Sequence, residues 1–302
     1  MVSTLFEVMV TGVGVGALYA LVAIGFSLIY KVTGVLNFAQ GQFALLGAYL
    51  IVVLTTPLLV ALELPAAASI VITIIFGLLL GVILERVIFR HFIGEPVLSV
   101  IIVTLALGGI ITGGIRFLIG PDYRSFPAEL QPDWSIPLLF DVTMSAPFAM
   151  GVLLSLITVL ALMAFFRYTV MGSILRASAS DQQAAMVLGV SIERTIVLAW
   201  AISIAITSVG GMLLAMFAGG AGFTIEAVGI IIFAAVVFGG LDSIPGAFVG
   251  SIIVGLLEQF GSYYVDPIVG SGFGLVLPMI FLVVVILVKP YGLWGTERIE
   301  RL

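Results

Sequence analysis

Residues 8–30 read VMVTGVGVGALYALVAIGFSLIY, an uncharged run held between Glu7 and Lys31. A helix needs roughly 20 mostly apolar residues to cross the hydrocarbon of a bilayer, and this run is long enough. Backbone in lipid must satisfy its own hydrogen bonds, which leaves helices or closed barrels. Barrel strands alternate apolar and polar over about 10 residues, whereas this run is continuously apolar and reads as a helix. A cleaved signal peptide opens on a basic segment, but the first basic residue here is Lys31.

The same texture recurs along the chain. Further candidate spans are Val35–Thr55, Ala66–Leu84, Val97–Leu118, Ser145–Phe166, Thr195–Met216, Ala227–Gly240, Pro245–Ser262 and Gly274–Val288. The expected fold class is all-α, a polytopic membrane helix bundle of about nine crossings, eight to ten fitting the pattern. It is expected to form a single transmembrane domain over 1–302. The stretch 227–240 is short for a crossing, and the one starting at Val35 is interrupted.

Composition agrees with lipid embedding. Of 302 residues, 62% are hydrophobic and 9% charged, against about 25% charged in a soluble domain. Eleven basic plus sixteen acidic residues make 27, too few to coat a soluble fold of this size. The net charge of −5 offers no basic patch for nucleic acid. Without cysteine there is no disulfide or thiol chemistry, and with His91 as its one histidine the chain is not expected to bind metal.

No enzyme constellation is present. The chain lacks a GxxxxGK[ST] phosphate loop and any GxSxG or HExxH arrangement. No catalytic residue and no cofactor are therefore expected. Few charges fall within the spans, whereas ion-driven carriers use intramembrane carboxylates or histidines as relays. The energy for any transport is expected to come from elsewhere.

Orientation follows from lysine and arginine, which favour cytoplasmic loops. With 167–194 inside, Lys31, Arg86, Arg90, Arg167, Arg176, Arg194, Lys289, Arg298 and Arg301 all fall inside, and Arg116 and Arg124 outside. The N-terminus is then outside and the C-terminus cytoplasmic. The external loop 120–144, GPDYRSFPAELQPDWSIPLLFDVTM, reads as an irregular cap anchored by Trp134. The internal loop 167–194, RYTVMGSILRASASDQQAAMVLGVSIER, has apolar residues at helical spacing. It reads as one or two short amphipathic helices bounded by Gly172 and Gly189.

Small residues four apart, at Gly12/Gly16, Gly77/Gly81, Gly109/Gly113 and Gly246/Gly250, allow close helix packing in lipid. The segment KVTGVLNFAQGQFALLGAY, 31–49, is different. Gly34, Asn37, Gln40, Gly41, Gln42 and Gly47 break its apolar run. Amides inside a span belong against protein or a water-filled path, and broken helices beside a path offer backbone groups to polar substrates. Asn37, Gln40, Gly41 and Gln42 are thus candidate path residues, the plainer reading being a helix start at the interface. Glu258 and Gln259 lie near the outer end of a span, and Glu258 reads as a path residue or, more plainly, as an interfacial carboxylate. Ser203, Thr207 and Ser208 read as bonding their own helix or a neighbour. A short echo links Leu36-Asn37-x-x-Gln40-Gly41-x-Phe43 to Leu241-Asp242-x-x-Pro245-Gly246-x-Phe248, within the reach of chance in a glycine-rich chain.

Four stretches carry a resemblance. They are GALYALVAIGFSLIYKVTGVLNFAQGQFALLGAY (16–49), RASASDQQAAMVLGVSIERTIVLAWAISIAITSVGGML (176–213), GGLDSIPGAFVG (239–250) and KPYGLWG (289–295). In this order they resemble the permease subunit of bacterial branched-chain amino-acid ABC importers; the urea importer permease is a close relative. The resemblance implies a multi-pass protein of the bacterial inner membrane that moves branched-chain or other neutral amino acids, or else urea or a short amide. It implies two cytosolic ATPase subunits, a second permease, related or identical, and an external solute-binding protein. It also implies that 167–194 is an ATPase-coupling loop, with Arg176, Asp181, Ala184, Ala185 and Gly189 at its docking element. Ser180 stands where the family often has glutamate. The rival reading of another class is an autonomous carrier or channel.

Overall fold

Glycine and proline stand where the apolar runs stop, and the helices follow that punctuation. The computed structural model describes residues 2–57, 64–180, 182–289 and 291–295. Helix α1 (Val2–Thr33) stops before Gly34, which takes φ +71°. α2 spans Gln40–Thr55. α3 (Ala66–Val87) and α4 (Val97–Ile119) start behind Pro65 and Pro96, where a missing N–H costs the first turn nothing. α5 (Ala146–Tyr168) carries Pro147 in its first turn. Then come α6 (Val170–Ser180), α7 (Gln182–Val187) and α8 (Ile192–Ala218), closed by Gly219 at φ +76°. α9 (Val228–Gly239) and α10 (Ile244–Phe260) follow. A π turn, Gly261–Val265, joins α10 to the short α11 (Asp266–Val269), and α12 (Phe273–Val288) comes last.

The all-α polytopic bundle is the observed architecture. Among the described residues six helical stretches are long and apolar enough to cross a membrane: α1, α3, α4, α5, α8 and Ile244–Val269. Three shorter apolar stretches accompany them, Gln40–Thr55, Phe223–Gly239 and Phe273–Val288. The interrupted stretch at Val35 starts its helix only at Gln40, because Asn37 turns the backbone first: its Oδ1 accepts from the Ala39 amide at 3.1 Å. Two-stranded ribbons add to the helices. β1 (Arg124–Ser125) pairs antiparallel with β4 (Gly220–Ala221), and β2 (Ser135–Pro137) with β3 (Thr143–Ser145).

α1 is the axis of the bundle. Of its best 18-residue stretch 94% is buried, against 28% for each of α3, α4 and α5. On α3, Val71, Ile75, Leu79 and Ile83 are exposed at intervals of four. The opposite side buries Ser69, Thr73, Gly77 and Gly81, so one face is turned outward and the other meets protein. Lipid is as apolar as leucine, so close van der Waals fit must hold such helices together. Three of the four small-residue pairs supply that fit. Gly12 and Gly16 lie on α10, against Leu256 and Ile252; Gly77 and Gly81 lie on Ala205 and Ala201 of α8; Gly246 and Gly250 lie on Gly239 and Ala235 of α9. Gly109 and Gly113 face open space.

Basic side chains gather at one end. Lys31, Arg167 and Arg176 line one hollow together with Asp242, and Lys31 Nζ donates to the Asp242 carbonyl at 2.8 Å. Arg86, Arg90 and Arg194 line a second, where Arg90 pairs with Glu193. The opposite end holds the β1–β4 ribbon, where the Tyr123 hydroxyl donates to the Ala218 carbonyl at 2.5 Å. Arg298 and Arg301 lie outside the described residues.

Candidate functional site

α2 and α9 are short for a crossing. At 1.5 Å per residue they are about 24 and 18 Å long, against about 30 Å of hydrocarbon. α2 enters from the basic end and runs past Tyr49, whose hydroxyl donates to the Asp122 carbonyl at 3.4 Å. α9 enters from the ribbon end, through the tight turn Phe223–Ala227. Their first turns meet. A methyl group placed on Gly41 would strike the Glu226 carbonyl and stand 2.9 Å from the Gly229 nitrogen. Glycine at both positions lets the two helix starts touch inside the bundle.

The amides ahead of and within α2 have separate employments. Asn37 and Gln40 are both 1% exposed. Asn37 Nδ2 donates to Gln40 Oε1 at 2.8 Å. Gln40 Nε2 donates to Thr207 Oγ1 at 2.5 Å and to the Val22 carbonyl at 3.2 Å. Ser203 Oγ donates to the Gly25 carbonyl at 2.7 Å. These groups form a buried polar clasp of α1, α2 and α8, and they satisfy one another. Buried polar networks of this kind rigidify a bundle.

Gln42 points elsewhere. Its Oε1 is enclosed and has no hydrogen-bond partner among the described residues; its carboxamide lies beside Gly108 of α4. Gly108 belongs to a row four apart on one face of α4: Thr104, Gly108, Thr112 and Arg116. Thr104 Oγ1 accepts from the Phe38 amide at 3.2 Å. Thr112 Oγ1 donates to Glu226 Oε2 at 2.8 Å. The Arg116 guanidinium stands 4.6 Å from the centre of the Phe223 ring. Reading the sequence singled out Gln42 but not Thr104, Thr112 or Glu226. The four-residue row on α4 is the signal from which the two threonines could have been found.

Glu258, read as interfacial, is half-buried and accepts a 2.9 Å hydrogen bond from the Tyr19 hydroxyl on the axial helix.

At the basic end, α5 stops at Thr169, not at Gly172. The Thr169 hydroxyl accepts from the Gly172 amide at 2.9 Å and so caps α6. Gly172 sits inside α6, tight against the backbone of Phe165 and Phe166. Arg176 is exposed and donates to Ser173 Oγ at 3.2 Å. Ala184 falls within α7, and Asp181 lies outside the described residues. Ala185 is 2% exposed and belongs to the core. Gly189 takes φ +83° with open space around it; its amide donates to Met186 O at 2.9 Å, ending α7. Between them Val187 is 87% and Leu188 82% exposed. The segment therefore presents an apolar tip on a buried alanine foot, and α8 begins three residues after Gly189.

Comparison with known proteins bears on this arrangement. The family model for the branched-chain amino acid transport system permease component matches residues 8–288. The chain is similar to the high-affinity branched-chain amino acid transport system permease protein LivH of Salmonella typhimurium. They share 29% identity over 300 residues, covering 97% of this chain and 96% of the relative. The corresponding protein BraD of Pseudomonas aeruginosa is 28% identical over 308 residues, with the same coverage. A probable branched-chain amino acid transport permease protein LivH of Methanocaldococcus jannaschii is 30% identical over 297 residues, covering 94% and 91%. No solved structure matches the chain.

Proposed function

The chain belongs to the branched-chain amino acid transport permease family, and from that premise we propose that it is the membrane permease subunit of an ATP-driven importer of branched-chain or related neutral amino acids. It resides in the cell's inner membrane as one transmembrane domain of about nine crossings, with the N-terminus outside, the C-terminus in the cytoplasm and 120–144 as the external loop. An external binding protein delivers the substrate. A second permease completes the path, to which Gln42 and Gly41 contribute, while Asn37 and Gln40 position α2. Two cytosolic ATPase subunits supply the energy.

The observation that carries this reading is the tip Met186–Gly189. An exposed apolar pair beside the basic end is costly in water and suits a groove on a partner. Its chain continues directly into α8, which packs along α1, α2 and α3. A push on the tip reaches the clasp at Ser203 and Thr207 through one rigid helix. Arg176 and the 167–194 loop as a whole serve that docking.

The test is uptake into vesicles by the assembled complex, with labelled leucine and labelled urea, in the presence of ATP. Leucine accumulation that requires ATP and the ATPase subunits supports the reading. Accumulation by the purified chain alone under an ion gradient overturns it, and urea uptake without leucine uptake overturns the substrate assignment.

A further inference from the structure

Glu226 is a half-buried carboxylate set back from the ribbon end, and the transport reading does not by itself give it a task. Thr112, its hydroxyl partner, lies seven residues from the end of α4, about 10 Å along the axis. One oxygen of Glu226 takes the Thr112 hydroxyl at 2.8 Å, and no ion pair to it occurs among the described residues. An ionisable group at such depth is expensive unless it has a functional partner. One helical turn beyond Thr112 stands Arg116, exposed and held over the Phe223 ring. Phe223 begins the turn that carries Glu226. An anion and a cation thus stand one helical turn apart along the same face of α4, on two elements, with no ion pair between them among the described residues. Thr224 and Ala227, beside Glu226, are exposed, so this face of the chain is open.

We propose that Glu226 and Arg116 form a recognition site for a zwitterionic amino acid on its way through the path. Glu226 and Thr112 receive the ammonium group, and Arg116 receives the carboxylate in the forked geometry that guanidinium favours. The unpartnered Gln42 Oε1, deeper along the same α4 row, is the next acceptor for the ammonium as the substrate descends. Such a site selects a zwitterion over uncharged urea, which cannot repay the desolvation of two opposite charges. The inference rests on the importer reading and assigns residues to the recognition of its substrate.

The experiment is ATP-dependent leucine uptake by the complete complex in vesicles, comparing wild type with Glu226→Gln, Glu226→Asp and Arg116→Gln. Loss of one charge-assisted contact predicts that Glu226→Gln and Arg116→Gln each lower uptake by about ten-fold or more. Glu226→Asp is expected to restore at least about a third of the wild-type rate, because it keeps the charge. Wild-type uptake in both neutral variants overturns the site and leaves the importer reading standing. No leucine uptake by wild type overturns both. If Glu226→Gln fails to assemble, Arg116→Gln decides alone, since its side chain is exposed and its loss leaves no cavity.

Discussion

Gln40 and Thr207, 167 positions apart in the chain, are joined by a 2.5 Å hydrogen bond from carboxamide nitrogen to hydroxyl oxygen. The bond ties the start of α2 to the middle of α8, the helix that leads away from the exposed tip. Thr207→Val leaves Gln40 Nε2 with the Val22 carbonyl and only a long 3.5 Å contact to Ser203 Oγ, and Gln40→Leu strands Asn37 as well. Each is expected to cost about 1–3 kcal/mol. The coupling between them should be smaller, about 0.5–2 kcal/mol as for other hydrogen bonds in membrane helices. Thermal melting of the two single variants and the double variant in detergent measures this, and strict additivity would show that the two groups do not act together.

The tip and its foot should separate docking from folding. Val187→Asp with Leu188→Asp is expected to abolish uptake while the protein inserts and melts as wild type. Ala185→Asp buries a charge in the core and should instead lower the melting temperature and the yield. Uptake that survives the double change at the tip would remove this segment from the coupling role.

Close packing of α1 on α10 rests on Gly16 and Gly255, each of which lies on the other helix's backbone. Gly16→Leu is expected to prevent recovery of folded protein, because backbone cannot retreat as a flexible side chain can. Gly113→Leu, in open space, should leave the melting temperature of the isolated chain within about 2 °C, a shift equal to a surface change of under 0.5 kcal/mol. Equal loss from both would mean that Gly113 packs as closely as Gly16 does.

Glu85 on α3 is buried, and neither carboxylate oxygen has a partner among the described residues. It shares a hollow with Arg86, Arg90 and Arg194, but a buried carboxylate without a hydrogen bond is destabilising. Glu85→Gln should therefore raise the melting temperature of the isolated chain. A lower melting temperature would show that the carboxylate is already satisfied.

The absence of cysteine makes orientation directly measurable. Single cysteines at Leu139 and Leu188, both exposed, should react from opposite sides of the membrane with an impermeant maleimide, Leu139→Cys from outside and Leu188→Cys only after the membrane is opened. Reaction of both from the same side would undo the arrangement of 120–144 outside and 167–194 inside.

Much of the architecture was legible in the sequence, and the reason is visible at particular residues. Hydrocarbon taxes each polar group where it stands, so a run such as 8–30 reveals its fate without knowledge of its neighbours. Pro65 and Pro96 open helices, Gly34 and Gly219 close them, and Lys31, Arg86, Arg90, Arg167, Arg176 and Arg194 mark one end. Gly172 was misread as a boundary because its packing against Phe165 and Phe166, rather than its conformation, requires glycine there.

What the tertiary structure alone decided is the use of the polar groups. Gln40 and Gln42 are the same amide two positions apart, about 200° around a helix of 3.6 residues per turn. One is consumed by Thr207 and the other is left facing α4, beside the row that leads to Glu226. Affinity for lipid is a property of each segment and is written locally. Whether a buried polar group is spent or available depends on partners brought from 66 to 167 residues away, and only packing assigns them.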